Sequence, residues 1–338
     1  LPGFVRSDGF SRHYEPIFGR SLRQEFVGEL IQPGQPGYDE ARAIWNAMID
    51  KRPALIARCT NSDDAIAAVN FGRDHGLLIS VRGGGHNVAG NAMCDDGLMI
   101  DLSPMKTVEL DLEAGKVTAQ PGAVFGDLDR ATQPHGMAVP GGIVSDTGIA
   151  GLTLGGGFGW LTREHGFTSD NLIAADVVTA DGQLVTASVT ENPDLYWGIC
   201  GGGGNFGVVT SFTYQMRSVG QEVLAGLVLY TMEDAAEVLR FYRDFTATTP
   251  VQLGSMAVFR LAPPAPFIPE ALHGKPVLAL IVCYNLHQNP WEALLDRVFE
   301  GYEKTPWSLW LQLYQYATQN NVLDKLNQEA LLFKLLFD

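Results

Sequence analysis

Three glycine-rich runs hold the residues with the clearest chemistry. They are Arg82-Gly83-Gly84-Gly85-His86-Asn87, Gly155-Gly156-Gly157-Phe158-Gly159 and Gly201-Gly202-Gly203-Gly204-Asn205-Phe206-Gly207. Consecutive glycines let several backbone N–H groups converge on one anion, a nest suited to pyrophosphate oxygens. Arg82 places a cation at the edge of the first run, and His86 closes its glycines. A lone histidine is ordinarily a surface or core residue. An imidazole at the tip of a phosphate-type loop points instead to a nucleophile held beside a cofactor. The plainer reading of the same glycines is a turn-rich β domain.

Standard motifs do not account for these runs. No Gly-x-x-x-x-Gly-Lys-Ser/Thr occurs. Gly202, Gly204 and Gly207 satisfy Gly-x-Gly-x-x-Gly in form, but a Rossmann site needs a helix to open after the glycines. Here Val208 to Tyr214 alternates like a strand. Neither Gly-x-Ser-x-Gly nor His-Glu-x-x-His is present. No His, Asp and Glu cluster has metal-ligand spacing, so no metal is expected.

The elements that must position the loops follow from periodicity. Residues 38–50 read as a helix with Ile44, Trp45 and Met48 on one face. Pro53 to Arg58 reads as a strand, Asp63 to His75 as a helix carrying Ile66, Val69 and Phe71, and Leu78 to Val81 as a strand running into the first glycines. This order describes an α/β nucleotide-binding unit. Short strands follow at Leu98 to Leu102, Lys106 to Leu110, Lys116 to Gln120, Ala174 to Thr179 and Gln183 to Ala187, an α+β pattern. Twenty-five of the 38 glycines lie between Gly83 and Gly207. Beyond Arg217 glycine thins and amphipathic stretches take over. Trp291, Leu294, Leu295, Val298, Phe299 and Tyr302 share one helix face.

Composition limits the alternatives. The 338 residues suggest two domains, and 46% hydrophobic residues supply a packed core. A net charge of −15 argues against a nucleic-acid binder or an anionic membrane surface. No apolar run has the length of a membrane span, and no signal peptide is evident. Cys59, Cys94, Cys200 and Cys283 are scattered, and no Asn-x-Ser/Thr sequon occurs. A cytoplasmic location is expected. The chain opens on Leu1, so a trimmed amino terminus is expected.

In combination the motifs are specific. Arg58 to Ala68, Val81 to Asn87, Val117 to Leu128, Gly141 to Glu164, Ser169-Asp170-Asn171 and Trp197 to Phe212, in this order and spacing, resemble the flavin-linked oxidases of the vanillyl-alcohol-oxidase superfamily. The branch indicated is the berberine-bridge-enzyme-like one, and the resemblance runs from about Tyr38 to Met216. It implies an α+β fold: a two-lobed PCMH-type FAD-binding domain over residues 1–216 and a separate α+β substrate domain over residues 217–338.

The resemblance also implies roles. His86 stands where a ring nitrogen bonds covalently to the 8α-methyl of FAD, next to Asn87. Arg82, Gly83, Gly84, Gly85, Gly122 and Ala123 would line the pyrophosphate. Gly148, Gly151, Gly155 and Gly156 would lie along the flavin and its ribityl chain. Thr147 matches an oxygen gatekeeper, and its shape is that of Val, the permissive residue. Val144 replaces the cysteine of a second covalent link, so attachment through His86 only is expected. Leu152 replaces a histidine facing the flavin pyrimidine, and Cys200 stands where many members have Arg.

The expected activity is an FAD-dependent oxidase. It takes hydride from a C–H bond alpha to a hydroxyl or amine of a sugar or secondary metabolite, and oxygen as acceptor gives hydrogen peroxide. A dehydrogenase with another acceptor and a non-catalytic flavin-binding protein are the alternatives. The family continues into a Tyr-x-Asn segment that returns to the flavin. None follows Asp338, so the substrate domain is expected to be incomplete. Tyr284, Tyr302, Tyr314 and Tyr316 are candidate bases, each of which also reads as a packing tyrosine. The catalytic base, the substrate and the oligomeric state stay open.

Overall fold

The computed structural model describes residues 22, 26–220, 223–266 and 268–285. The helical stripe expected over Trp291 to Tyr302 lies outside the described residues, as do Tyr314 and Tyr316. The chain divides into two compact units. The first takes in the described residues up to Ala131, Ser145–Gly157 and Phe167–Met216. The second takes in Thr132–Val144, Phe158–Gly166 and the described residues from Arg217 onward. Both mix helices with largely antiparallel sheet, so the fold is α+β.

Two sheets build the first unit. β1 (Glu29–Ile31), β2 (Leu55–Arg58), β3 (Ile79–Arg82) and β4 (Leu98–Asp101) form one, in the order β1-β2-β4-β3. β4 runs parallel to β2 and β3, and β1 pairs antiparallel with β2. Leu55, Ala57, Leu98 and Ile100 belong to one buried cluster, while Ile56 and Met99 belong to another with Ile31, Tyr38 and Ala41. Both faces are covered, which is why β2 and β4 each open on three consecutive apolar residues.

Two helices cover that sheet. α1 spans Tyr38–Arg42 and α2 spans Ser62–Asp74. The Asn61 side chain accepts from Asp64 N–H and caps α2, and Ala65, Ala68, Val69 and Phe71 turn inward. Asp64 is fully buried and accepts from Thr60 N–H and Oγ1 and from Val27 and Gly28 N–H. Burial opposes its charge, but these hydrogen bonds outweigh it and hold the carboxyl below its usual range.

The helix expected over 38–50 stops at Arg42. Ala43 turns to φ −66°, ψ 137°, and Trp45 N–H donates to Gly85 O at 3.0 Å. A bond to a loop distant in sequence replaces the helical bonds that the apolar spacing suggested.

The second sheet of this unit is fully antiparallel. It contains β5 (Val108–Asp111), β6 (Lys116–Ala119), β8 (Leu172–Val178), β9 (Leu184–Ser188) and β10 (Val208–Gln215), in the order β5-β6-β10-β8-β9. The third glycine run leads into β10, a strand, as the alternation of Val208 to Tyr214 suggests. Val178 and Val208 reach the same buried cluster as α2, so this helix is packed against both sheets.

The second unit has a two-stranded ribbon of β7 (Met137–Ala138) and β11 (Arg217–Ser218). Its larger sheet contains β12 (Val223–Thr231), β13 (Leu253–Leu261) and β14 (Pro276–Asn285), in the order β12-β14-β13. A helix at Ala235–Thr246 covers one face through Ala235 and Val238. Tyr284 is buried beside Leu253 and Phe245 and packs in this core.

Candidate cofactor site

Three segments distant in sequence meet around the first glycine run, all within the first unit. They are the run itself, the turn Pro121–Ala123 and the stretch from Thr147 into a short helix, Ile149–Leu154. Gly83 lies against Pro121 O and the Ala150 methyl. Gly84 and Gly148 touch backbone to backbone: a Cβ on Gly84 would sit 2.4 Å from Gly148 Cα. Phe125 N–H donates to Thr147 O at 3.0 Å, and Ile149 N–H donates to Ala123 O at 3.1 Å. The short helix is tied to the second sheet by Thr153 Oγ1 and the buried Tyr214 hydroxyl, 2.8 Å apart. Burial pushes that phenol well above its usual range.

The expected site residues divide by what their backbone does. Among the described residues, the N–H groups of Gly83, Gly84, Gly85 and His86 have no hydrogen-bond acceptor. Gly85 is at φ +75°, which turns the run before His86. Gly151 and Gly156 face open space, for a Cβ on either meets nothing within 4 Å. Gly155 donates to Gly151 O and Leu152 O and closes the short helix. Gly122 and Ala123 are buried behind the loop, with N–H groups bonded to Met105 O and Gln120 O. They shape the wall and offer no donor to an anion. Asn87 accepts from Asn91 N–H through Oδ1, and its carbonyl accepts from Gly90 N–H, closing a local turn.

Arg82 packs against Gly85, where an added Cβ would lie 3.2 Å from Nε. Its guanidinium donates to Ala41 O at 2.5 Å and lies 3.9 Å from Asp101, whose carboxylate is buried and also meets Arg58 at 3.3 Å. A buried carboxylate strongly attracts the nearest cations. The side chain therefore braces the root of the loop, a role that spacing alone does not reveal.

His86 lies between two side chains that sequence reasoning missed. The Trp45 ring stacks on it at 5.8 Å between centroids and 21° between planes. Asp146 Oδ1 lies 3.7 Å from His86 Nε2. Neither neighbour is signalled by spacing, because each arrives from a different segment. All four cysteine thiols are pushed up by burial, Cys283 to about 12, so none is a ready thiolate. Among the described residues no three metal-ligating side chains cluster, and no helix is long and apolar enough to cross a membrane.

The arrangement fits a dinucleotide with a flat ring system. A glycine turn carries unpaired N–H groups, two glycines of the neighbouring segment face open space, and an imidazole ends the turn. Comparisons with known proteins agree. Residues 53–188 match a family model described as an FAD binding domain. (R)-6-hydroxynicotine oxidase of Paenarthrobacter nicotinovorans is 38% identical over 203 residues, 60% of this chain and 44% of the relative. The crystal structure of 6-hydroxy-D-nicotine oxidase from Arthrobacter nicotinovorans superposes with a TM-score of 0.76 at 31% identity, covering 85% of this chain and 61% of that one. BBE-like 1 of Physcomitrella patens superposes with a TM-score of 0.72 at 25% identity, covering 81% and 58%. The chain spans about half the length of the curated relatives it matches. Residues 53–188 match an FAD-binding domain, and the chain is similar to FAD-linked oxidoreductases, among them proteins of the berberine-bridge-enzyme-like branch of the vanillyl-alcohol-oxidase superfamily.

Proposed function

We propose that this chain is the FAD-binding domain and part of the substrate domain of an FAD-dependent oxidase whose flavin is attached through His86 only. When bound, FAD supplies hydride acceptance from a C–H bond alpha to a hydroxyl or amine and delivery of the electrons to oxygen as hydrogen peroxide. The chain's own contribution is to hold the cofactor. The N–H groups of Gly83 to His86 receive its diphosphate, and the open faces of Gly151 and Gly156 leave room beside it. Thr147 stands next to Gly148, where the loops meet.

The observation that carries this reading is the place of His86 at the end of a glycine turn with unpaired N–H groups. Val144 in place of a cysteine, together with four thiols raised by burial, supports a single link. The relative named for a hydroxynicotine favours a small secondary metabolite as substrate over a sugar.

Acid precipitation of the purified protein tests the attachment. Yellow colour and in-gel flavin fluorescence stay with the pellet, and both are lost in His86→Ala. Colour released from the parent protein would remove His86 as the anchor. Turnover under air against turnover under argon with an artificial acceptor then separates an oxidase from a dehydrogenase.

A further inference from the structure

His86 is held more tightly than a loop residue need be. Trp45 N–H bonds to Gly85 O at 3.0 Å, which fixes the tryptophan beside the ring it stacks on. Asp146 is pinned on both sides: Gly126 N–H donates to Ser145 O at 2.8 Å, and Phe125 N–H donates to Thr147 O at 3.0 Å. The close approach of Gly84 to Gly148 locks the two loops together. Backbone on three sides thus sets one imidazole against one carboxylate.

We propose that Asp146 is a positioning residue for flavin attachment: it keeps the His86 proton on Nε2 and leaves Nδ1 as the nitrogen that forms the bond. The inference rests on the reading of His86 as the covalent anchor. Asp146 Oδ1 lies 3.7 Å from Nε2, inside ion-pair range and outside hydrogen-bond range. Among the described residues Nδ1 has no partner. A carboxylate beside one ring nitrogen selects the tautomer and stabilises the cation that forms when the other nitrogen reacts. Trp45 adds a second constraint by fixing the plane of the ring.

The step balances as follows. A bond forms between Nδ1 and the 8α carbon, and one 8α C–H bond breaks. The 8α hydrogen and the Nε2 proton leave, and the two electrons pass to dioxygen, which departs as hydrogen peroxide. Asp146 faces the nitrogen that carries positive charge until its proton is lost. Its carboxylate is 71% exposed, so the effect is that of one screened charge pair.

The test uses the chain produced without flavin, by expression under riboflavin limitation, and then reconstituted with FAD under air. Covalent incorporation is followed as fluorescence in denaturing gels, and non-covalent binding is followed separately by flavin quenching. Asp146→Asn keeps the shape and removes the charge. It is expected to slow covalent incorporation about fivefold while leaving non-covalent affinity unchanged, and Asp146→Glu is expected to recover part of the rate. High salt slows the parent protein and not Asp146→Asn. Peptide mapping places the flavin on Nδ1 in the parent.

Equal incorporation rates in the parent and Asp146→Asn, or attachment at Nε2, would overturn the proposal while His86 remains the anchor. Parent protein that releases all its flavin into acid supernatant would overturn the anchor reading and this inference together. A loss of non-covalent binding in Asp146→Asn that matches the loss of incorporation would make Asp146 a mere part of the fold and likewise overturn it.

Discussion

Two sets of glycines meet at the cofactor loops and do opposite work. At Gly84, Gly122 and Gly148 an added Cβ would lie 2.3–2.6 Å from the nearest backbone atom. At Gly151 and Gly156 it would meet nothing within 4 Å. The first set lets chain segments touch one another, and the second leaves space that the protein itself does not fill. Glycine enrichment is therefore two signals superimposed. Only the second marks space left open by the side-chain-free backbone.

Substitution separates the two sets. Gly122→Ala has the largest expected effect, because Leu102, Ser103 and Met105 carbonyl oxygens all lie within 2.8 Å of the new methyl. A loss of about 3 kcal/mol or more, read from the denaturant midpoint, follows from forcing backbone apart. A midpoint unchanged by Gly122→Ala would break the comparison. Gly84→Ala comes next, at about 2–3 kcal/mol, because its single obstacle is a neighbouring loop that has some freedom to move.

The open set sharpens the contrast. Gly156 has φ +99°, so Gly156→Ala carries about 1–2 kcal/mol of backbone strain despite the free space around it. Gly151 lies inside a short helix without positive φ. Gly151→Ala is expected to stabilise the flavin-free protein by up to about 1 kcal/mol through helix propensity. The same variant is expected to weaken FAD binding measured by flavin quenching. If it binds FAD as tightly as the parent, the space over Gly151 is not cofactor space.

Much of this was legible in the chain. β2, α2 and β3 follow from apolar periodicity because their buried faces are local patterns, and Asn61 marks the start of α2 by its own side chain. Rejection of a Rossmann site was equally local, since Val208 to Tyr214 alternates like the strand it forms. The helix over 38–50 failed for the opposite reason. Trp45 leaves it for Gly85, a partner no window around Trp45 contains. The bracing of Arg82 by Asp101 was hidden in the same way, for Asp101 arrives on a parallel strand.

By itself the sequence carried the family resemblance, several elements of the first unit and the glycine runs, because these reside in residue type and spacing along the chain. Tertiary structure alone decided which side chains face His86, where the Arg82 guanidinium points, and which glycines face backbone and which face open space. Each of these depends on segments that meet only after folding. The physical reason is that charge, ring stacking and steric contact act through distance in space, and the chain encodes that distance only through its packed sheets and loops.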